Sequence, residues 1–305
     1  MKVFKRIVIG FGALILFVVL WGLVEPYFIN TEEEAAAITN LPEEWEGQEI
    51  AVIGDFQVGM WMDNTWTIER VVDRLIEREP AAVLLTGDHV YHVKKGSEKE
   101  LDQVLELLEP LAETDIPVMT VMGNHDYSME KKDHEPDTAY VEKMSEKFEE
   151  LGIHVLENEH FVLNLTPDGT AEGEPDGQSL YIGGIGSSWA AMANVEETLS
   201  GIPDDAPRFM LMHNPQAFKS IPADSAPAAT AGHTHGGQIS IPFTPHWSYM
   251  TLFKGEEVHA AGWAEADFGE KRNLLYVNPG IGFSDVPLRF TTPPEITYFE
   301  LKQKS

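Results

Sequence analysis

Three apolar runs in the first half of the chain each stop at a glycine followed by a metal-ligating type of residue. Ile50–Ile53 ends at Gly54-Asp55, Ala81–Leu85 leads through Thr86 to Gly87-Asp88, and Pro117–Met122 ends at Gly123-Asn124-His125-Asp126. Between them the apolar residues fall at helical spacing: Ile68, Val71, Val72, Leu75 and Ile76 within Thr65–Glu79, then similar faces in Glu98–Glu113 and Thr138–Leu151. A βαβαβα order of this kind requires parallel strands joined by crossover helices. In an α/β fold, ligands bind at the carboxyl ends of the strands. The second half is richer in strands. His160–Leu165 and Ser179–Ile185 read as a hairpin around a Gly/Pro/Asp-rich loop, Pro167–Gly177. Arg208–Met212, Ala228–Ala231, Gln238–Ile241, Leu274–Val277 and Glu295–Leu301 read as further strands.

Ahead of this α/β region stands a different kind of segment. Ile7–Val24 is an uncharged, apolar stretch whose helix would be roughly 27 Å long, close to the ~30 Å thickness of a bilayer core. Lys2, Lys5 and Arg6 precede it, and Glu25, Glu32, Glu33 and Glu34 follow it. The positive-inside rule then leaves residues 1–6 in the cytoplasm as a basic terminus and the bulk of the chain outside. A cleaved signal peptide is the competing reading, but no small-residue cleavage site follows Val24. Residues 25–48, Glu-rich with Pro26 and Pro42, read as an acidic linker with one short helix near Glu32–Ile38. The domain proper then spans 49–303, without an internal repeat.

Composition narrows the function. With 50 acidic and 21 basic side chains the formal net charge is −29, which repels phosphate backbones and disfavours nucleic acid as a partner. Cysteine is absent, which removes disulfides, thiol catalysis, zinc fingers and a lipidated-cysteine anchor. What remains is the set of polar residues at strand ends: Asp55, Asp88 and Asn124, joined later by His213, His233 and His235. Carboxylate, amide and imidazole together suit Mn, Fe or Zn.

In order and spacing these residues resemble the calcineurin-like metallophosphoesterase superfamily. The motifs that carry the resemblance are Gly87-Asp88, Gly123-Asn124-His125-Asp126, His213 and Gly232-His233-Thr234-His235, and it covers about residues 49 to 301. The extension Gly236-Gly237-Gln238, with the late Asn278-Pro279-Gly280 and Pro293-Pro294-Glu295-Ile296, is similar to a bacterial membrane-associated phosphodiesterase branch. The resemblance implies a sandwich of two mixed β-sheets flanked by helices, here preceded by one transmembrane helix. It also implies two metal ions. Asp88 would bridge them, Asp55 and His235 would hold the first, and Asn124, His213 and His233 the second. His125 would contact the phosphate and protonate the leaving oxygen, supported by Asp126. A water activated between the two cations would attack phosphorus in line.

The first motif departs from the usual pattern, since Gln57 stands where most members place a metal-binding His. Tyr91, three residues after Asp88, is spaced like the metal-binding tyrosine of the purple acid phosphatases, and this resemblance implies that Tyr91 ligates the first metal and favours Fe(III) there; the alternative is that Tyr91 packs beside the site while Gln57 bonds a metal-held water. His89 and His246 are further candidates for supporting or substrate contacts. His134, His154, His160 and His259 match no motif and read as structural. Trp61, Trp66 and Trp247 could meet lipid or an apolar substrate tail, although core packing is the commoner role for such residues. The expected function is hydrolysis of a phosphodiester, pyrophosphate or phosphomonoester in a small-molecule or lipid-linked substrate outside the membrane, the oligomeric state being left open. Two rivals stand beside it: a scaffold that has lost its metals, and a nuclease, which the charge opposes.

Overall fold

The computed structural model describes residues 2–62, 64–91, 98–166, 169–241, 248, 251 and 261–304. Helix α1 (Lys2–Val24) leads into two β-sheets. In the first sheet, β2 (Glu49–Ile53), β3 (Ala82–Leu85), β4 (Val118–Thr120) and β5 (Ile153–Val155) run parallel, in that order. On the other side of β2 lies β13 (Glu295–Gln303), antiparallel to it, and β1 (Asn30–Ile38) closes that edge parallel to β13. The second sheet comprises β6 (Glu159–Thr166), β7 (Gly169–Glu172), β8 (Leu180–Ile185), β9 (Arg208–Met212), β10 (Ala229–Ala231), β11 (Gly262–Trp263) and β12 (Leu275–Val277), in the order β11-β12-β10-β9-β8-β6-β7.

The continuous apolar character of β2, β3 and β9 follows from burial on both faces. Successive residues of a strand point to opposite sides. Ile50 and Val52 therefore face inward and meet Phe161, Leu163, Ile182, Phe209 and Leu211 of the second sheet. Ala51 and Ile53 face outward, onto α2 (Thr65–Arg78), α3 (Lys99–Ala112) and α4 (Thr138–Leu151), through Ile68, Val71, Leu75, Val104, Leu108 and Phe148. The far face of the second sheet is covered by Phe218 and Ile221, next to a short helix α5 (Val195–Leu199). These two mixed sheets with flanking helices are the expected sandwich.

The structure corrects the reading of residues 25–48 as a linker. Asn30–Ile38 is a strand, paired with β13 along its whole length, and not a helix. Ala36 and Ile38 are buried, while the residues at Glu32 and Glu34 on the same face are half-buried and polar. An edge strand needs little apolar surface, and its carboxylates guard against edge-to-edge pairing. Cross-strand pairing overrides the helix propensity of a Glu/Ala run. Two smaller differences lie in the second half. The expected hairpin pairs as β6 with β8, but part of its loop forms β7 on the other side of β6. Residues 238–241 make only isolated bridges, through Ile239 and Ser240.

Helix α1 is exposed along most of its length, and its end is fastened to the domain rather than hung from it. Glu25 is 5% exposed, and its carboxylate accepts from the backbone N–H groups of Thr291 (3.0 Å) and Thr292 (2.7 Å) and from the Trp21 indole. The carbonyl of Gly22 accepts from Arg289 N (3.0 Å), and that of Pro26 from Thr67 Oγ1 (3.0 Å).

Candidate metal centre

The carboxyl ends of β2, β3 and β4 lie side by side and deliver Asp55, Asp88 and Asn124 to one edge. Strands β9 and β10, also parallel neighbours, deliver His213, His233 and His235. Five residues of the centre hold a left-handed backbone despite carrying side chains: Asp55 (φ 51°), Gln57 (φ 53°), Asp88 (φ 54°), His233 (φ 75°) and His235 (φ 49°). Each such residue costs of order 1–3 kcal/mol, and such strain persists where a site requires it. Glycine lets the loops close up. A Cβ on Gly123 would lie 2.1 Å from Asp88 Oδ1, and one on Gly87 (φ 90°) would lie 2.7 Å from the backbone nitrogen of Gly123.

Two groups of ligand atoms result, each with all its members within 4.8 Å of one another: Asp55, Asp88 and His235 in the first, Asp88, His213 and His233 in the second. Asp88 belongs to both. In the second group, His213 Nε2 lies 3.4 Å from Asp88 Oδ2, 3.1 Å from Asn124 Oδ1 and 3.3 Å from His233 Nδ1. Ligands about 2.1 Å from one metal stand roughly 3.0–3.4 Å apart, so this spacing fits a cation. The orientations are set from outside. His213 Nδ1 bonds the carbonyl of Thr86 (2.7 Å), which leaves Nε2 facing inward. Asn124 Nδ2 donates to the Met129 carbonyl (2.9 Å), which turns its oxygen toward His213.

The first group is looser. His235 Nε2 is 3.8 Å from Asp55 Oδ1 and 3.5 Å from Gln57 Nε2, which donates to Asp88 Oδ2 (2.8 Å). Gln57 Oε1 and His235 Nδ1 are buried and without a hydrogen-bond partner among the described residues. Orphaned polar atoms beside two buried carboxylates fit a cation, because an unpaired buried group otherwise costs about 1–3 kcal/mol. Bound metals would supply positive charge to a phosphoryl group and acidity to a water. Asp55, Asp88, His235 and Gln57 would hold the first ion, and Asp88, Asn124, His213 and His233 the second.

His125 stands next to the shared carboxylate, its backbone N–H donating to Asp88 Oδ1 (2.8 Å). Its Nδ1 bonds the Tyr91 carbonyl (2.7 Å), and its ring stacks on that of Tyr91 at 5.2 Å and 20°. This pairing makes Nδ1 the donor. Asp126 has a different task from the support of His125 expected of it. Its carboxylate accepts from the backbone N–H groups of Asp88 (2.9 Å), His89 (2.9 Å) and Gly123 (2.8 Å), and so fixes the two metal-bearing loops to each other. His89 is buried and cannot face substrate. Its ring bridges Asp126 (3.0 Å) and Thr120 Oγ1 (2.9 Å) beneath those loops. His246 lies outside the described residues.

Sequence reading missed Arg289 and Trp189. Arg289 is fully buried, gives its guanidinium to the carbonyls of Gly282 (2.8 Å), Pro279 (2.9 Å) and Thr292 (3.1 Å), and stands near Asp55. Burial lowers its pKa to about 10, against the charges of Asp55 and Glu25. Trp189 lies edge-on to His233 at 4.8 Å and carries Lys132 over its face. Neither belongs to a motif, so no sequence signal marked them.

Proton affinities follow from this crowding. Burial lifts Asp55 to about 7, with His213 opposing and Asp88 adding to the rise. Burial pulls His213 down, but the charge and hydrogen bond of Asp88 outweigh it and raise it to about 9. Burial would also raise Asp88, yet the imidazoles of His213 and His125 drive it below the carboxylate range. His235 is held well below its ordinary value, first by burial and then by Arg289. Asp55 and His213 therefore bind protons more tightly folded than unfolded. Their stabilisation is complete below the unfolded values, 3.8 and 6.5, and is lost as pH rises through 7 and 9 respectively. Metal takes the place of these protons, so its affinity rises with pH. The depressed His235 works in the opposite direction up to its unfolded value of 6.5 and offsets Asp55 there, so chelated protein is expected to lose thermal stability between about pH 6.5 and 9 while metal-loaded protein holds it. Melting curves with and without chelator check this; a gap that does not widen with pH contradicts it.

The model of the calcineurin-like phosphoesterase family matches residues 49–237. Among similar curated proteins is the uncharacterized metallophosphoesterase YkuE of Bacillus subtilis, 25% identical over 279 residues, 92% of this chain and 87% of that one. Phosphodiesterase YaeI of Escherichia coli is 28% identical over 227 residues, 74% and 72% of the two chains. The UDP-2,3-diacylglucosamine pyrophosphatase LpxG of Chlamydia trachomatis is 24% identical over 292 residues, 84% and 85% of the two. With its two ligand groups and the ordered motifs, the chain belongs to the calcineurin-like phosphoesterase family and is a metal-dependent phosphoric ester hydrolase.

Proposed function

We propose that this is a membrane-anchored, dinuclear phosphoesterase that cleaves a phosphodiester or pyrophosphate bond in a lipid-linked or envelope substrate outside the membrane. The observation that carries the dinuclear reading is the sharing of Asp88 between two ligand groups, with the His125 backbone N–H donating to its Oδ1. Asp55 and His235 hold one side of the centre, Asn124, His213 and His233 the other. A proton carried on His125 Nε2 meets the phosphoryl oxygens and passes to the leaving oxygen as its bond to phosphorus breaks, while the Tyr91 carbonyl keeps the ring in place through Nδ1. Asp126 and His89 hold the loops in register. The name of LpxG, a pyrophosphatase of a diacylated nucleotide sugar, supports a lipid-linked substrate; the apolar helix α1 supports anchoring by residues 7–24, and the basic Lys2, Lys5 and Arg6 before it support an extracytoplasmic domain. Hydrolysis of a diester, a monoester and a nucleoside diphospho-lipid, each with Mn, Fe and Zn, tests the reading. Stoichiometric metal with activity on none of them contradicts it.

For the remaining position on the first metal, the contacts of Gln57 to Asp88 and His235 favour Gln57, its amide turned so that Oε1 meets the ion. Tyr91, engaged with His125, is the alternative, and it alone brings an Fe(III) preference with it. Iron-loaded protein is expected to lack a phenolate-to-iron absorption band, and Gln57→Ala to lose first-site metal affinity about 10- to 100-fold. A visible band that disappears in Tyr91→Phe assigns the position to Tyr91 instead.

A further inference from the structure

Among the described residues, the large apolar side chains exposed outside α1 are Tyr27, Phe28, Trp61, Met62, Trp66 and Ile241. In a chain with net charge −29 they are not scattered. All six gather where α1 meets the domain. Tyr27 and Phe28 follow the helix directly, Phe28 stacking on Trp21 at 5.9 Å and Tyr27 packing on Trp66 at 5.5 Å. Trp61 and Met62 lie three and two residues before Asn64, whose amide reaches the carbonyls of Pro26 and Ile281. Ile241 follows Ser240, whose carbonyl accepts from Thr291 Oγ1, while Thr291 N bonds Glu25. Trp61 is 70% exposed and Trp66 52%, so neither has the core role that such residues usually take. Arg70 lies over the Trp66 ring at 4.5 Å and donates to the Tyr27 carbonyl, which places a cation in the ring of aromatics.

The position of this collar relative to the metal centre is fixed by the fold. It surrounds the N-terminal end of α2, which follows the carboxyl end of β2, the edge that carries Asp55. Trp61 and Met62 are four and five residues beyond Gln57, so at most about 18 Å of chain separates them from the centre. Amphipathic aromatics with a nearby cation are the composition of a membrane–water interface. The bonds of Glu25 and Pro26 make the helix exit rigid, so the collar cannot swing away from the plane that α1 crosses.

We infer that Tyr27, Phe28, Trp61, Met62, Trp66 and Ile241 form a collar that seats the domain on the lipid bilayer and turns the strand edge bearing the metal centre toward the headgroups. The substrate is then a phosphoryl group carried at headgroup level by a membrane-resident lipid. This rests on the anchoring proposed above, and the test separates the two. The chain has no cysteine, so single reporters can be placed on the full-length protein. Met62→Cys marks the collar. Ala13→Cys marks the middle of α1. Glu150→Cys marks the C-terminal end of α4, at the opposite edge of the sheet. Each is labelled with a fluorophore and reconstituted in phosphatidylethanolamine/phosphatidylglycerol vesicles containing nitroxide lipids at headgroup or mid-bilayer depth. The expected result is quenching of residue 62 by headgroup-level nitroxide, of residue 13 by mid-bilayer nitroxide, and little of residue 150. Quenching at 13 with residue 62 no more quenched than 150 overturns the collar alone. No quenching at 13 overturns the anchoring and the collar together. Full-length protein is also expected to hydrolyse a vesicle-borne lipid phosphodiester at least about ten-fold more efficiently than its short-chain soluble counterpart, because docking raises the local substrate concentration. Equal efficiencies overturn the substrate assignment.

Discussion

Asp88→Asn is expected to reduce turnover by about 10³-fold and to leave the purified protein short of its full metal complement. The substitution preserves shape but removes the one anion that both ligand groups share. It also sets donors against donors. Gln57 Nε2 and the His125 backbone N–H both point at the Asp88 oxygens (2.8 Å each), and an amide can accept from only one of them. His213 loses the charge that keeps its proton affinity high, so the chelated variant should also lose part of the wild type's stability below pH 9. Metal analysis and kinetics on the same preparation check this. A variant with two tightly held ions and near-normal turnover would show that Asp88 is not the bridge.

His125→Asn is expected to act on chemistry without acting on metal. The ring stands on the Tyr91 carbonyl, and the hydrogen bond to the Asp88 carboxylate comes from the backbone N–H, a bond that the variant retains. Loss of a positioned general acid typically costs about 10²–10⁴-fold in turnover. The loss should be largest for substrates with poor leaving groups and small for activated nitrophenyl esters, which need no proton. An equal loss on both classes would assign His125 to binding instead of proton transfer.

How far the sequence led depended on whether a role is local. The crossover order and the boundaries of α2, α4 and β9 were legible because helical spacing and both-face burial leave strong patterns, and Thr138–Leu151 and Arg208–Met212 match the expected spans. The convergence of Asp55, Asp88, Asn124, His213, His233 and His235 was legible because each follows a strand at the ligand-binding edge. Strand β1 was not, because an acidic edge strand is defined by its partner β13, about 265 residues away, and not by its own pattern. The role of Asp126 was misread for a related reason. The motif places it beside His125 in sequence, whereas its carboxylate turns back to the N–H groups of Asp88, His89 and Gly123. Arg289 and Glu25 depend wholly on tertiary placement, one lying near Asp55 and the other joining α1 to Thr291 and Thr292.

The most direct measurement is the anomalous scattering of a crystal of metal-loaded protein, collected at the absorption edges of Mn, Fe and Zn. Two ions about 3.5–4 Å apart are expected, both bonded to Asp88, one completed by Asp55 and His235 and the other by Asn124, His213 and His233. A single ion, or a pair that does not share Asp88, would contradict the dinuclear centre.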